Sequence, residues 1–285
     1  MKIRLASSYG FCYGVKRAIK IAEEHPSSAT YGPLIHNKDE IDRLREHFNI
    51  GLVESFEEAE QVDSIVIRTH GIPKEEYRKL KAEGKEIINA TCPYVTTPQQ
   101  IVEKMSQEGY SIVIFGDRNH PEIKGVVSYA EDPRNAFVVL EESELEGLPL
   151  GSKVAIVAQT TRKPADFMKI VNALVLRAKE VRVFNTICNA TFENQDAAAE
   201  LAREADVMIV IGGKHSSNTK QLHSICKNFC DDSYLVENEN ELDPAWFRGK
   251  ELCGISAGAS TPDWIVQNVI DRIREIVRVE KELAP

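Results

Sequence analysis

The sequence predicts an α/β protein of three pseudo-symmetric α/β/α lobes, each with a mostly parallel four-stranded sheet, around a central metal site. Short runs rich in Val and Ile alternate with amphipathic helical segments, which is typical of parallel sheets covered by helices on both faces. Three cysteines, Cys12, Cys92 and Cys188, recur about one domain length apart, and each stands between a strand-like run and a helical one. Three equivalent strand ends would then deliver three thiolates to one axis.

The strand-like runs follow one another in the same order in each third of the chain, which indicates an internal repeat. One kind of run precedes each cysteine, a second ends in a histidine-bearing loop, a third leads into an acidic stretch, and a fourth ends in a loop of polar side chains. We therefore predict four strands for each repeat, alternating with helices. The runs lie at 2–6, 85–89 and 181–185 (first kind), before His36, His120 and His215 (second), at 51–55, 136–140 and 233–237 (third), and at 64–67, 153–158 and 251–255 (fourth).

The domain boundaries that we predict follow from this repeat. The lobes cover 13–92, 93–187 and 188–285, and a chain of 285 residues is long enough to give each one a core of ordinary size. The third repeat lacks a cysteine-bearing strand of its own, whereas residues 1–12 carry one without the rest of a repeat. We therefore expect the N-terminal strand 1–12 to complete the third lobe.

Several helix starts are marked by a capping side chain beside a proline, which suits the first turn because proline has no N–H to satisfy there. This pattern predicts helices that begin at Thr97–Pro98, at His120–Pro121 and at Thr261–Pro262. The last helix has its apolar residues on one face. They are Ile265, Val266, Val269, Ile270 and Ile273.

The formal net charge of −9 and the lack of a basic stripe argue against a nucleic-acid partner. No apolar stretch approaches the ~20 residues of a membrane span, and the N-terminus leads into a strand instead of a signal peptide. We therefore expect no membrane partner and a cytoplasmic location. Six cysteines without a secretory signal indicate reduced thiols or metal ligands rather than a disulfide framework.

The type of metal site follows from the spacing of the three repeated cysteines. Thiolates suit zinc or an iron–sulfur cluster, but structural zinc usually takes a further Cys or His at short spacing, such as a C-x2-C pair, which the sequence lacks. One ligand from each distant repeat fits a cluster better. The alternative is that these cysteines are buried small hydrophobes. We expect Cys226, Cys230 and Cys253, which lack the repeat, to be core residues or incidental thiols.

Polar side chains at the predicted strand ends form a set of hydrogen-bond donors. Ligands of parallel α/β sheets lie beyond the carboxyl ends of the strands, where helix N-termini present N–H groups to anions. A single Ser or Thr there would be read as a helix cap, but the recurrence in all three repeats favours a phosphate or diphosphate site. The set comprises His36, His70, His120, Thr160, Ser216, Ser217, Asn218 and Ser260.

Glu122 is the carboxylate of this region that lies beside a histidine at a strand-to-helix junction. A carboxyl group among apolar walls can hold a raised pKa and deliver a proton, so Glu122 is the candidate general acid. The alternative is that Glu122 only stabilises the start of its helix through the helix dipole. The sequence position alone does not separate the two roles.

The motifs, taken together, resemble those of the 4-hydroxy-3-methylbut-2-enyl diphosphate reductases along nearly the whole chain. That family performs the last step of the methylerythritol phosphate route to isoprenoids. The motifs are Gly10-Phe11-Cys12-Tyr13-Gly14-Val15, Pro33-Leu34-Ile35-His36-Asn37, Arg68-Thr69-His70-Gly71, Ala90-Thr91-Cys92-Pro93, His120-Pro121-Glu122, Ala158-Gln159-Thr160-Thr161, Thr186-Ile187-Cys188-Asn189-Ala190-Thr191, Ser216-Ser217-Asn218 and Gly258-Ala259-Ser260.

The resemblance implies an oxidoreductase that removes the substrate's allylic hydroxyl with two electrons and two protons, giving isopentenyl and dimethylallyl diphosphate. It implies that Cys12, Cys92 and Cys188 hold one [4Fe-4S] cluster with one iron open to substrate. Thr160 and Glu122 would orient and protonate the hydroxyl region, while the remaining polar set, with Thr160, would bind the substrate. An external ferredoxin- or flavodoxin-like electron donor is implied as a partner.

Two departures from the family pattern stand near these motifs. The chain has Asn194-Gln195 where the family usually has Arg-Gln, and His215 where the family often has Asn. Neither replaces an implied ligand. Two other functions remain open at this point: an aconitase-like hydro-lyase, which would turn over without a reductant, and a non-catalytic phosphate-binding or redox-sensing module.

Overall fold

The computed structural model describes residues 1–35 and 37–283, apart from the side chains of Thr191, Ser217 and 280–283. Its strands are β1 (Lys2–Leu5), β2 (Ala29–Tyr31), β3 (Gly51–Val53), β4 (Ser64–Ile67), β5 (Glu86–Asn89), β6 (Ser111–Phe115), β7 (Ala136–Val139), β8 (Lys153–Ala158), β9 (Glu180–Val183), β10 (Val207–Ile211), β11 (Ser233–Val236) and β12 (Leu252–Ala257). Its α-helices are α1 (Tyr13–Glu24), α2 (Lys38–Phe48), α3 (Phe56–Ala59), α4 (Lys74–Ala82), α5 (Pro93–Gln107), α6 (Pro121–Val127), α7 (Pro164–Val175), α8 (Asn189–Ala202), α9 (Ser217–Lys227) and α10 (Asp263–Leu283).

The strands form three four-stranded sheets, with the orders β3-β2-β4-β5, β7-β6-β8-β9 and β11-β10-β12-β1. Each neighbouring pair is parallel. The four kinds of run therefore occur in the same spatial order in every sheet. The run that precedes the cysteine is always an edge strand. The predicted fold class, an α/β fold with three equivalent parallel sheets, is confirmed.

The third sheet takes its edge strand from the other end of the chain. Strand β1 pairs with β12 in the register Lys2 with Leu252 through Leu5 with Ile255. The chain divides into two compact units, one with the described residues of Met1–Lys16, Ile35–Arg43 and Asn189–Pro285, the other with Arg17–Leu34 and Leu44–Cys188. The three lobe boundaries at 13–92, 93–187 and 188–285 stay a prediction.

The first unit has its core on both faces of the third sheet. Ile209 and Ile211 of β10 pack with Ile265 of α10, while Met208 packs with Leu222 of α9 on the opposite face. Because successive residues of a strand point to opposite faces, a central strand with both faces covered is apolar throughout. The apolar face predicted for the last helix is confirmed, since all five of its residues are buried.

The second unit holds the first two sheets, each with its own core. Ile65 and Ile67 of β4 pack with Leu80 of α4 in one cluster, and Ile112 of β6 packs with Ile123 of α6 in the other. The polar loops at the carboxyl ends of these strands are positioned by this packing.

The helix start predicted at Thr97–Pro98 is wrong, whereas the one at His120–Pro121 is confirmed. Helix α5 begins four residues earlier than Thr97, directly after Cys92, and Pro98 lies inside it. Pro93 occupies the first helical position, where a proline is equally suitable. The hydroxyl groups of Thr96 and Thr97 donate to the carbonyls of Cys92 and Pro93 at 3.2 and 3.0 Å, so the first turn has bonds beyond its backbone ladder. Such bonds from a threonine hydroxyl to the carbonyl four residues earlier tend to bend a helix slightly instead of stabilising it.

Among the helices of the described residues, we find none that combines the length and the apolar character needed to cross a membrane.

Candidate active site

The three repeated cysteines occupy the same position in the fold. Each is the last residue before a helix: Cys12 precedes α1, Cys92 precedes α5 and Cys188 precedes α8. All three are partly exposed, and none is in a disulfide. The described thiols at these positions are therefore accessible as ligands.

The other cysteines differ from them in burial. Cys226 and Cys253 are 0 % exposed and Cys230 is 6 % exposed, which confirms their predicted role as core residues. Burial raises the pKa of both Cys226 and Cys253 to about 12. These thiols stay protonated at neutral pH, so they are poor ligands and poor nucleophiles.

One backbone hydrogen bond is repeated at each of the three accessible cysteines. In every case the cysteine N–H donates to the carbonyl of the residue two positions beyond the end of the neighbouring strand. The bonds join Cys12 to Ala259 after β12 (3.3 Å), Cys92 to Thr69 after β4 (3.0 Å) and Cys188 to Thr160 after β8 (2.8 Å). Thr160 is itself a predicted site residue, and the other two acceptors directly precede His70 and Ser260. Each loop that carries a predicted cysteine ligand is thus hydrogen-bonded to a loop that carries a predicted substrate-binding residue.

Glu122 and Thr160 form a buried pair. The Thr160 N–H donates to Glu122 Oε1 at 2.8 Å, and the Thr160 hydroxyl donates to Glu122 Oε2 at 2.7 Å. Glu122 is 1 % exposed. Desolvation raises the pKa of Glu122 above its usual range, although the two bonds from Thr160 and the charge of Arg162 act in the opposite direction. A carboxyl in this state can hold a proton at higher pH than an exposed one.

His120 is the N-cap of α6, and its ring accepts a hydrogen bond. Its Nδ1 atom accepts from the Glu122 N–H at 3.2 Å. In this geometry the neutral ring carries its proton on Nε2, which makes that atom a donor. The rings of His70 and His120 meet edge to face, with their centroids 5.3 Å apart and their planes at 87°. The structure therefore brings His70, His120, Glu122 and Thr160 into one neighbourhood of the second unit.

The loop that carries His70 is held on both sides of the histidine. The Thr69 hydroxyl donates to the Leu34 carbonyl at 3.0 Å, and Arg68 Nε donates to the Gly71 carbonyl at 3.4 Å. Gly71 has a φ of 70°, in the left-handed region that glycine adopts without strain. This turn sets the direction of the His70 side chain.

Gln159 links two of the site loops, a role that the sequence did not predict. Its side chain is buried, and its Oε1 accepts from the Asp117 N–H at 2.9 Å and from Arg162 Nε at 3.3 Å. The loop before His120 and the loop around Thr160 are thereby joined. Gln159 was recognisable only as part of the strand-end motif, because its partner lies 42 residues away.

The predicted anion-binding residues of the first unit lie around the start of α9 and after β12. Ser216 caps α9, since its hydroxyl accepts from the Thr219 N–H at 3.3 Å, and Asn218 is partly exposed in the first turn. Ser260 is also partly exposed. Thr219 is fully buried beneath them, and a Cβ atom on Gly258 would lie 2.4 Å from its Oγ1. Only glycine fits at position 258 beside this threonine.

Two predicted site residues lie wholly or partly outside the described residues. His36 lies outside the described residues, and the side chain of Ser217 does so as well, although its backbone begins α9.

Comparisons with known proteins agree with this architecture. The family model described as LytB protein matches residues 3–274. The chain belongs to the LytB protein family. It is 76% identical to the 4-hydroxy-3-methylbut-2-enyl diphosphate reductase of Sulfurovum sp. (strain NBC37-1), over 97% of this chain and 100% of the relative. It is 63% identical to the protein of the same name from Campylobacter concisus (strain 13826), again over 97% of this chain and 100% of the relative.

Solved structures of LytB-like reductases have the same fold. A structure described as (E)-4-hydroxy-3-methyl-but-2-enyl diphosphate reductase, the terminal enzyme of the non-mevalonate pathway, has a TM-score of 0.79 and 42% identity, over 96% of this chain and 100% of that one. The E-1-hydroxy-2-methyl-but-2-enyl-4-diphosphate reductase from Plasmodium falciparum has a TM-score of 0.82 and 26% identity, over 94% and 86%. The family resemblance predicted from the motifs is confirmed.

The accessible thiols of Cys12, Cys92 and Cys188 are of the donor type that suits the iron–sulfur chemistry of the LytB family. Within the described residues, no three His, Cys, Asp or Glu side chains lie close enough together to hold one ion. A structural zinc site needs four such ligands around one atom. In an iron–sulfur cluster each cysteine binds a different iron, and the thiols at the three repeated positions are accessible.

Proposed function

We propose that this LytB protein reduces 4-hydroxy-3-methylbut-2-enyl diphosphate, removing its allylic hydroxyl as water with two electrons and two protons. The products are isopentenyl diphosphate and dimethylallyl diphosphate. The observation that carries the proposal is the position of Thr160: its N–H and hydroxyl bind Glu122, while its carbonyl accepts from the Cys188 N–H. A buried acid with a raised pKa thus stands one residue away from a predicted cluster ligand.

Cys12, Cys92 and Cys188 would hold one [4Fe-4S] cluster, and the absence of a fourth repeated cysteine from the sequence leaves one iron for the substrate. When bound, such a cluster supplies electrons and a Lewis acid for cleavage of the C–O bond. The support for this ligand set is the shared position of the three thiols before a helix, together with the repeated bond to the cysteine N–H.

The substrate's diphosphate would be bound by the donors at the strand ends. Ser216, Ser217 and Asn218 lie at the start of α9, an 11-residue helix whose N-terminal N–H groups and dipole favour an anion. Ser260 adds a hydroxyl, and His36, His70 and His120 add ring N–H groups. Binding energy from the diphosphate, which does not react, would hold the hydroxyl in place and replace a bimolecular encounter.

Glu122 would supply a proton through Thr160. When Glu122 is protonated, Oε2 can donate to the Thr160 hydroxyl oxygen, which lies 2.7 Å away. The Thr160 hydroxyl can then donate its own hydrogen to the departing oxygen. Burial of Glu122 keeps water from competing for this proton and keeps its pKa raised.

The electron balance requires an external partner. The reaction consumes two electrons in each turnover, and these must be replaced from outside the protein, so a ferredoxin- or flavodoxin-like donor is proposed. A cytoplasmic location, where reduced carriers of this type occur, is part of the same proposal.

The proposal is tested by anaerobic turnover of the cluster-loaded protein with and without a chemical reductant. We expect both diphosphate products only when the reductant is present. Mössbauer spectra with and without substrate should show one iron whose signal changes on binding. Product formed without any reductant would favour a hydro-lyase, and a loaded cluster whose spectrum ignores the diphosphate would favour a non-catalytic module; either result would overturn the proposal.

A further inference from the structure

Two of the three ligand loops are braced by an asparagine three residues before the cysteine. Asn89 Oδ1 accepts from the Thr91 N–H at 3.0 Å, and Asn185 Oδ1 accepts from the Ile187 N–H at 3.3 Å. Thr91 and Ile187 directly precede Cys92 and Cys188. Such a side-chain bond closes a local turn and limits where the next residue can lie.

The Cys12 loop has no such asparagine, because the third residue before Cys12 is Tyr9. This loop is also less regular. The Ala6 N–H donates to Ile255 O at 2.8 Å, and the Gly10 N–H donates to Ala257 O at 3.0 Å. Four residues along the Cys12 loop therefore match two along β12, so two extra residues bulge out of the pairing.

A bulge of this kind leaves the backbone before Cys12 dependent on other contacts. Gly10 closes it with a φ of 69°, a conformation in which glycine has more freedom than other residues. Without a further restraint, the direction of Cys12 would be less well defined than that of Cys92 or Cys188.

Asn194 supplies the restraint from α8. Its side chain is 4 % exposed. Its Nδ2 donates to the Gly10 carbonyl at 3.3 Å, and its Oδ1 accepts from the Ser8 hydroxyl at 2.6 Å. One carboxamide thus binds two points of the bulge, 184 and 186 residues away in sequence.

We propose that Asn194 is a positioning residue for Cys12, the counterpart in the third repeat of Asn89 and Asn185. The proposal rests on the proposed function, since it takes Cys12 as a cluster ligand. Asn194 does not touch the cluster or the substrate; it acts by restraining the loop from Ser8 to Gly10. Helix α8 begins directly after Cys188, and Asn194 in its second turn restrains the loop that carries Cys12.

The test compares iron release from anaerobically loaded holoenzymes, measured as the rate of transfer to an iron chelator. Asn194→Ala should release iron about tenfold faster than the parent, which corresponds to about 1.4 kcal/mol. Asn194→Asp should be at least as fast, because a carboxylate oxygen would face the Gly10 carbonyl in place of a donor. Ser8→Ala should increase the rate of iron release less than Asn194→Ala does, since the bond from Asn194 to Gly10 remains. This variant tests the proposal if the Asn194 variants do not fold.

Ser233→Ala is the matched control, because Ser233 is equally buried and its hydroxyl donates to the Cys230 carbonyl at 2.6 Å, away from the ligand loops. It should lower the melting temperature but leave iron release within about twofold of the parent. The electron paramagnetic resonance spectrum of the reduced cluster should change in Asn194→Ala and not in Ser233→Ala.

Three outcomes would overturn the inference, and they can be told apart. Parent-like iron release and spectrum in both Asn194→Ala and Ser8→Ala would remove Asn194 from this role. Equal acceleration by Ser233→Ala would reduce the effect to general stability. If the parent protein bound no cluster, or if the Cys12→Ser variant bound a normal amount of cluster, the proposed function would be overturned, and the inference with it.

Discussion

The Thr160 carbonyl accepts a hydrogen bond from the Cys188 N–H at 2.8 Å, while the same residue binds both oxygens of Glu122. A proposed proton donor, its relay and a proposed cluster ligand are therefore joined through one threonine. A displacement of Thr160 would change the proton path and the ligand loop together, which motivates the predictions that follow.

Replacement of Glu122 by Gln should abolish proton delivery without removing the helix-start residue. Gln has the same size but has no acidic proton, so turnover should fall by roughly 10²–10⁴-fold while substrate affinity stays within a few-fold. The measurement is a single-turnover reduction by cluster-loaded enzyme. If Glu122 acted only through the helix dipole, the change would cost ~0.3–1 kcal/mol of stability, and a rate within about threefold of the parent would remove it from the mechanism.

The pH dependence of stability should also distinguish the parent protein from the Glu122→Gln variant. The pKa of Glu122 is raised by burial, so the folded protein binds this proton more tightly than the unfolded chain does. The contribution of this bound proton to the stability of the folded protein is therefore fully present below the pKa of the unfolded state. It is lost as the pH rises through the pKa of the folded state. Chemical unfolding of both proteins across this window should show the parent losing stability relative to Glu122→Gln with rising pH. A constant difference would contradict the raised pKa.

The six cysteines should separate into two groups on replacement by Ser. Cys12→Ser, Cys92→Ser and Cys188→Ser should lose the iron–sulfur absorbance, because these thiols are accessible and occupy the repeated position. Cys226→Ser, Cys230→Ser and Cys253→Ser should keep it, since all three side chains are buried and burial raises the pKa of each thiol. Iron and sulfide analysis of anaerobically loaded proteins is the measurement. Parent-like iron in Cys92→Ser would exclude it as a ligand.

Asn218→Ala should weaken the binding of inorganic diphosphate by tenfold or more. A hydrogen bond to a charged group contributes on the order of 1.5–3 kcal/mol, and ~1.4 kcal/mol corresponds to a factor of ten. Asn240→Ala, at an exposed position of the same unit, is the control and should bind as the parent does. Calorimetry provides both affinities, and an unchanged value for Asn218→Ala would place the anion elsewhere.

Gly258 and Thr219 should behave as a coupled pair. A Cβ atom at position 258 would lie 2.4 Å from Thr219 Oγ1, so Gly258→Ala should destabilise the fold by roughly 1–3 kcal/mol through overpacking. Thr219→Ala removes the obstructing atom, so the double variant should be less destabilised than the sum of the two single ones. Denaturant unfolding of all four proteins tests this, and simple additivity would show that the contact is relieved in another way.

The sequence by itself determined where the strands lie, which of the four runs of a repeat each one is, and the repeat itself. Each apolar run became a strand within a few residues of its predicted ends, because a short run of Val and Ile suits a strand of a parallel sheet that is covered on both faces. It also separated Cys12, Cys92 and Cys188 from the core cysteines, since the repeat phase is visible without coordinates. The start of α5 was mispredicted, because Pro93 and Pro98 both suit a first turn and local sequence does not choose between them.

Only the tertiary structure decided which side chains meet. Thr160 and Glu122 are 38 residues apart, and the role of Asn194 depends on a loop 184 residues away, so neither contact has a local signal. The raised pKa of Glu122 likewise comes from desolvation by surrounding residues rather than from its neighbours in sequence. Residue types and their period are properties of the chain, whereas burial and hydrogen-bond partners arise only when distant segments pack together.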